Sequence, residues 1–281
     1  MKTVKTIYDI RQIVSEVGKK GKSVGLVPTM GFFHEGHLSL IREARKDCDV
    51  VVVSIFVNPV QFSPGEDCER YPRDLIRDEK MAEEEKVDFI FAPGVSEMYP
   101  SGYSTFVEVE HLSEVMCGKS RPAHFRGVTT VVAKLFNLIQ PDIAYFGQKD
   151  AQQAVIIRKM TVDLNMDVEI KVLPVVREED GLAMSSRNTY LNKEERKAAA
   201  VLYRALLKAE EKIIAGGKDV SEIRKRMSEI IESEKTARID YIAIVNPQNL
   251  KEKTVMDGPT LIFLAVWIGK TRLIDNIIVS L

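Results

Sequence analysis

The stretch that most constrains this chain is Pro28-Thr29-Met30-Gly31-Phe32-Phe33-His34-Glu35-Gly36-His37, set between the apolar run Val24 to Val27 and the helically periodic segment Leu38 to Lys46. Its order is strand, glycine-bearing turn, helix start. Backbone N–H groups in the first turn of a helix have no partner inside the helix and lie at the positive end of its dipole, so such a junction receives an anion. Gly31 and Gly36 let the main chain come close to a ligand, while His34 and His37 add imidazole donors for charge developing on a phosphate. Two of the four histidines fall within these ten residues. The rival readings are a capping or core role for the histidines, and zinc ligation by the pair. Zinc would lack a nearby cysteine or further histidine to complete its ligands.

The surrounding pattern predicts an α/β chain. Ile7, Ile10, Ile13, Val14 and Val17 share one helical face that ends at Gly18 and Gly21, and Val50 to Val57 reads as a parallel strand covered on both faces. Strand and helix alternate from the start, as in βαβ units. The second strand ends in Asn58-Pro59-Val60-Gln61-Phe62, and open parallel sheets bind ligands beyond the carboxyl ends of their strands. Asn58 and Gln61 therefore emerge where a hydroxy acid would lie, against the competing reading of an Asn-Pro turn with a solvated glutamine. A polar loop over 63–73 closes on Tyr71-Pro72-Arg73, whose arginine serves either a phosphate or a surface ion pair. Asp74 to Glu85 reads as an exposed helix, with Asp78 taken as a solvated carboxylate rather than a magnesium ligand, and Asp88 to Ala92 as the next strand.

Three later segments repeat the theme. Arg121, His124 and Arg126 stand beside Gly118 and Gly127 ahead of a helix over Thr129 to Ile139, which suits an anionic substrate or a basic surface loop. Gly147-Gln148-Lys149-Asp150 follows the strand Ile143 to Phe146 and opens a helix to about Leu164. There Lys149 is a compact cation for a phosphate, and Asp150 accepts from ribose hydroxyls or caps the helix. After a strand over Val168 to Val176, Gly181 to Asn188 brings Ser185, Ser186 and Arg187 into a mobile loop able to close over a leaving pyrophosphate.

Beyond Leu191 the character changes. Asn192 with Glu195 and Asp219 with Glu222 read as capping boxes opening helices of roughly 20 and 15 residues by the usual start signals. Strands follow at Asp240 to Val245, Leu261 to Ile268 and Thr271 to Val279, the last two as a hairpin across Gly269-Lys270. The formal net charge of −1, from 40 basic and 41 acidic residues, gives no global attraction to nucleic acid or an anionic membrane. Three scattered cysteines fit a reducing compartment, and no apolar run resembles a signal peptide or spans a bilayer, so a cytoplasmic location is expected.

Pro28 to His37 resembles the P-T-M-G-x-L-H-x-G-H signature of the pantothenate synthetase family, a branch of the nucleotidyltransferase superfamily that shares HxGH with class I aminoacyl-tRNA synthetases. Phe33 stands where that family usually has leucine. Phe56 to Phe62 is similar to its F-V-N-P-x-Q-F block, Tyr71 to Arg73 to its Y-P-R, Gly118 to Val128 to G-x-x-R-P-x-H-F-x-G-V, and Ser185 to Asn188 to its S-S-R-N. Five blocks in order are specific where one would be weak. The resemblance implies a Rossmann-like doubly wound parallel sheet over residues 1–187 that binds ATP and pantoate, with a smaller C-terminal α+β lid domain over 188–281. It implies an AMP-forming ligase that joins pantoate to β-alanine through a pantoyl adenylate, using ATP with Mg2+, as a homodimer with no nucleic-acid or membrane partner. Its catalytic residues would be His34, His37, Lys149 and Arg187. ATP would touch Met30, Gly31, His34 and His37, then Gly147, Gln148, Lys149 and Asp150, then Val176, Met184, Ser185, Ser186 and Arg187. Asn58, Gln61, Arg121 and Gln153 would contact the acid substrates. A nucleotidyltransferase that leaves AMP on its product, and a tRNA-binding synthetase, are the alternatives from other classes.

Overall fold

The structure, a computed structural model, describes residues 1–280. The chain divides into two compact units, one made of 1–114, 118–147 and 156–174, the other of 115–117, 148–155 and 175–281. The second unit thus takes in the start of the helix after Gly147 and the whole segment from Val175, upstream of the change of composition at Leu191.

The first unit is built on six parallel strands: β1 (Lys2–Val4), β2 (Val24–Thr29), β3 (Val50–Ile55), β4 (Phe89–Phe91), β5 (Ile143–Gly147) and β6 (Glu169–Leu173), in the order β1-β4-β3-β2-β5-β6. From β2 the chain winds outward through β3 and β4, then returns beside β2 with β5 and continues to β6. The order reverses between β2 and β5, and ligands bind at such a switch point, beyond the carboxyl ends of the strands. Val51, Val52 and Val53 of β3 are fully buried, as a continuous β-branched run requires when helices cover both faces. The helix Glu35–Asp47 sends Leu40, Ile41 and Ala44 into this core beside Phe33, Val53 and Ile90. Leu40 and Ile41 each contribute about 1.5–3 kcal/mol by leaving water.

The strand expected over Val168 to Val176 is shorter, Glu169–Leu173, and two other departures are larger. β1 is a three-residue edge strand on β4, too short to carry a readable period. The basic segment before the expected helix at Thr129 is itself helical: the helix runs His124–Ile139, entered through Ala123 at φ 65°. Gly127 hides it, since glycine weakens a helix in sequence terms, yet here only glycine fits. A Cβ at Gly127 would lie 2.6 Å from the backbone N and Cα of Gln61.

The second unit packs helices on an antiparallel sheet of β7 (Ala237–Val245), β8 (Thr260–Ile268) and β9 (Thr271–Val279), in that order. The expected hairpin joins β8 and β9. Asn192 and Glu195 form the expected capping box, and Asp219 caps Val220–Glu232 by accepting from the N–H groups of Ser221 and Glu222. The expected 20-residue helix is interrupted at Ala200, giving Lys193–Ala199 and Val201–Ile214. Leu202, Leu206, Ile213, Ile223 and Met227 close over Ile262, Leu264 and Val266 of β8.

Candidate active site

Within the first unit, the turn after β2 is pinned at every step. Thr29 Oγ1 donates to the Ser54 carbonyl at 2.8 Å and accepts the Gly31 N–H at 3.1 Å. Gly31 (φ 82°) and Phe32 (φ 55°) then adopt two successive left-handed conformations, the second costly for a residue with a side chain. What holds them is Asp78, whose two oxygens accept the N–H groups of Phe32 and Phe33, each at 2.7 Å. A Cβ on Gly31 would come within 2.9 Å of Asp78 Oδ2, so the glycine leaves room for the carboxylate. Arg77 adds a bond to the Phe33 carbonyl at 2.9 Å and lies over the Phe32 ring.

This corrects the reading of Asp78 as solvated. It is 1% exposed, and burial pushes its carboxyl above the ordinary range against the opposing pull of the two N–H donors. The available signal was its place four residues before Ala82, on the inward stripe of its helix Leu75–Glu84.

The pinned turn delivers His34 as the residue before the helix Glu35–Asp47. His37 Nδ1 accepts the His34 N–H at 3.3 Å, and the two rings lie 4.0 Å apart between centroids. With Nδ1 accepting, a neutral His37 carries its proton on Nε2, which sets that atom as the donor.

A second turn in the same unit, Pro59–Gln61, carries Gln61, whose Nε2 reaches the Met30 sulfur at 3.2 Å. Asn58 does not emerge toward a substrate as expected: it is 1% exposed. Its amide donates to the Gly127 carbonyl at 3.0 Å and to Gln61 Oε1 at 3.1 Å. Asn58 therefore orients Gln61. Arg121, expected on substrate, makes a two-pronged pair with Glu66 at 2.6 and 2.7 Å. His124 Nδ1 lies 2.8 Å from the Gln61 carbonyl. The arginine charge is thus largely neutralised, and the Glu66–Arg121–His124 chain supports the same turn.

In the second unit, Gln148–Asp150 forms a 3-10 turn ahead of the helix Ala151–Asp163, with Lys149 Nζ 3.5 Å from Asp150. Gln152 is buried, donating to the Val115 carbonyl and accepting from the Cys117 N–H, whereas Gln153 stays partly exposed. The Gly181 segment is not an open loop. Arg177 and Ala183 bridge, Met184 N–H donates to the Val176 carbonyl at 2.9 Å, and Gly181 turns at φ 89°. Ser185 caps the 3-10 turn Ser186–Tyr190 by accepting the Arg187 N–H at 3.3 Å, and Ser186 is buried. Asn188 ties this turn to Glu178 at 2.7 Å and to the Ala183 carbonyl at 3.1 Å. Hydroxyls and an arginine are presented on a braced frame.

The comparisons agree with this architecture. The family model for pantoate-beta-alanine ligase matches residues 2–278. A pantothenate synthetase of Caldicellulosiruptor bescii is 57% identical over 280 residues, covering 100% of this chain and 99% of the relative. The crystal structure of pantothenate synthetase from Thermus thermophilus superposes with a TM-score of 0.94 at 48% identity, covering 99% of both chains. That of pantoate-beta-alanine ligase from Francisella tularensis, complexed with beta-gamma ATP and beta-alanine, gives 0.83 at 34% identity, covering 99% of this chain and 97% of that one. A match that runs through every signature-bearing segment, in sequence and in fold alike, makes this protein a member of the pantoate-beta-alanine ligase family.

Proposed function

We propose that this chain condenses pantoate with β-alanine at the expense of ATP, releasing AMP and pyrophosphate, through a pantoyl adenylate. The observation that carries the reading is the turn that Asp78 locks ahead of a helix N-terminus, where the His34 N–H on His37 Nδ1 leaves Nε2 as the ring's donor. A carboxylate and an amine do not condense in water, because oxide is a poor leaving group. A pantoate carboxylate oxygen attacks the α-phosphorus, the bond to pyrophosphate breaks, and the acyl carbon becomes electrophilic. The β-alanine nitrogen then attacks that carbon, the bond to AMP breaks, and the amine loses its extra proton.

His37, with His34 beside it, donates to the oxygens that gain charge at the α-phosphorus. Lys149, Ser186 and Arg187 hold the triphosphate, with Met30, Gly31, Gly147, Gln148, Asp150, Val176, Met184 and Ser185 completing the nucleotide contacts. Gln61 and Gln153 orient pantoate, and Asn58 and Arg121 act through Gln61. Catalysis comes from positioning and charge stabilisation. Among the described residues no three His, Cys, Asp or Glu side chains stand together as a metal cage. Magnesium enters the reading only as the counter-ion that ATP brings, and no step runs through it. No described helix is long and apolar enough to cross a membrane, and the reading includes a cytoplasmic homodimer.

The test is pantoate-dependent exchange of labelled pyrophosphate into ATP in the absence of β-alanine, with free AMP appearing only once β-alanine is added. His37→Ala should lower turnover by on the order of 10²-fold. AMP retained on the product would instead make the protein a nucleotidyltransferase, and unchanged turnover in His37→Ala would remove that residue from the mechanism.

A further inference from the structure

β9 is an edge strand, hydrogen-bonded to β8 alone, and edges expose backbone groups that a protein must cover. Within its stretch Leu273 to Val279, apolar elsewhere, stand two adjacent polar residues, Asp275 and Asn276, both 0% exposed. Burying an amide costs free energy unless it is hydrogen-bonded, so the partners show what the residue is for. Asn276 Nδ2 donates to the carbonyls of Gln148 at 2.8 Å and Lys149 at 3.1 Å, and its Oδ1 accepts from Gln148 Nε2 at 3.2 Å. Asp275 takes a two-pronged bond from Arg177 at 2.6 and 3.0 Å. The same guanidinium donates to the Gly181 carbonyl at 3.0 Å and lies 3.9 Å over the Tyr203 ring. A leucine at either position would bond to neither segment.

We infer that Asn276, backed by Asp275, is a positioning residue for the reaction: from the edge of the C-terminal sheet it fixes the backbone that presents Lys149, while Asp275 and Arg177 brace the segment leading to Arg187. The inference rests on the reading that Lys149 holds ATP. It gives the C-terminal sheet a direct part in building the nucleotide site, across a sequence separation of 128 residues.

The experiment is a double-mutant cycle in the full chain, with Asn276→Asp, Lys149→Ala and the combination. Asn276→Asp keeps the size and puts a carboxylate oxygen against two carbonyls. It should lower kcat/KM for ATP by about 10–100-fold, as a misplaced binding group does, while the KM for β-alanine moves less than about twofold. Added to Lys149→Ala, it should cost less than about a further twofold, because the group it positions is already gone. A kcat/KM for ATP within about twofold of the unaltered protein, or a full additive loss on Lys149→Ala, overturns the inference. Should Asn276→Asp fail to fold, Asn276→Ser takes its place in the same cycle and is judged by the same outcomes. Unaltered activity in Lys149→Ala overturns the ATP reading together with the inference, whereas a crippled Lys149→Ala with an unaffected Asn276 variant overturns the inference alone.

Discussion

The turn around His34 and the segment around Arg177 solve one problem in two ways. Each unit holds a polar, function-bearing stretch of chain on a buried carboxylate. Asp78 does so with backbone N–H donors 46 and 45 residues away, its nearest cation being Arg77 at 4.0 Å. Asp275 does so with a guanidinium 98 residues away. The first arrangement fixes backbone in a strained left-handed path at Gly31 and Phe32. The second fixes a side chain that itself bonds onward to Gly181, so it braces through a longer lever. Neutral donors specify a local conformation, and a charge pair specifies a long-range contact.

That comparison breaks first at Asp275. Asp275→Ala leaves Arg177 largely buried without its carboxylate, and should cost about 3–5 kcal/mol of stability, read from chemical denaturation. Asp78→Ala leaves the N–H groups of Phe32 and Phe33 without their acceptor and should cost about 3 kcal/mol. A larger loss at Asp78 than at Asp275 would reverse the ranking of the two devices. Gly127→Ala sharpens the picture of the Gln61 turn. A methyl pressed against the Gln61 backbone should cost about 1–3 kcal/mol and raise the KM for pantoate several-fold, with the KM for ATP changing less.

The smallest effect is in pH. Burial raises the folded-state pKa of Asp78 above its value in the unfolded chain. Between those two values the folded form binds the proton more tightly, so the stability this group contributes is greatest below the unfolded pKa near 4 and is lost as pH rises through the folded value. The melting temperature of the unaltered protein should therefore fall relative to Asp78→Asn as pH rises from about 4 to 7. A parallel pair of curves would show that the carboxyl titrates no differently in the two states.

The elements that carry the site were legible from period and punctuation. The Val50 run, the glycine-bearing junction after Val27, and the Asn192 capping box each arise from local chemistry that a linear chain displays. What stayed hidden is what the turns are tied to. Asp78 sits in a charged helix, and nothing in its neighbours distinguishes an inward carboxylate from a solvated one except its spacing from Ala82. Asn58 follows a strand end like a ligand-binding residue, but its partner is the carbonyl of Gly127, 69 residues on. Gly127 reads as a helix breaker because its purpose, close approach to Gln61, is tertiary. Asp275 and Asn276 did leave a trace, as two consecutive polar residues between the apolar pairs Leu273-Ile274 and Ile277-Ile278. Long-range polar pairs are specified by the fold, and sequence shows only that a polar residue stands where an apolar one would be expected.

The account turns on His37 facing the phosphorus at which bonds are exchanged. The most direct measurement is a crystal structure of the protein soaked with ATP, magnesium and pantoate. The account predicts the adenylate, with an oxygen on its phosphorus about 3 Å from His37 Nε2. Nucleotide phosphates bound elsewhere, with His37 Nε2 facing only solvent, would contradict it.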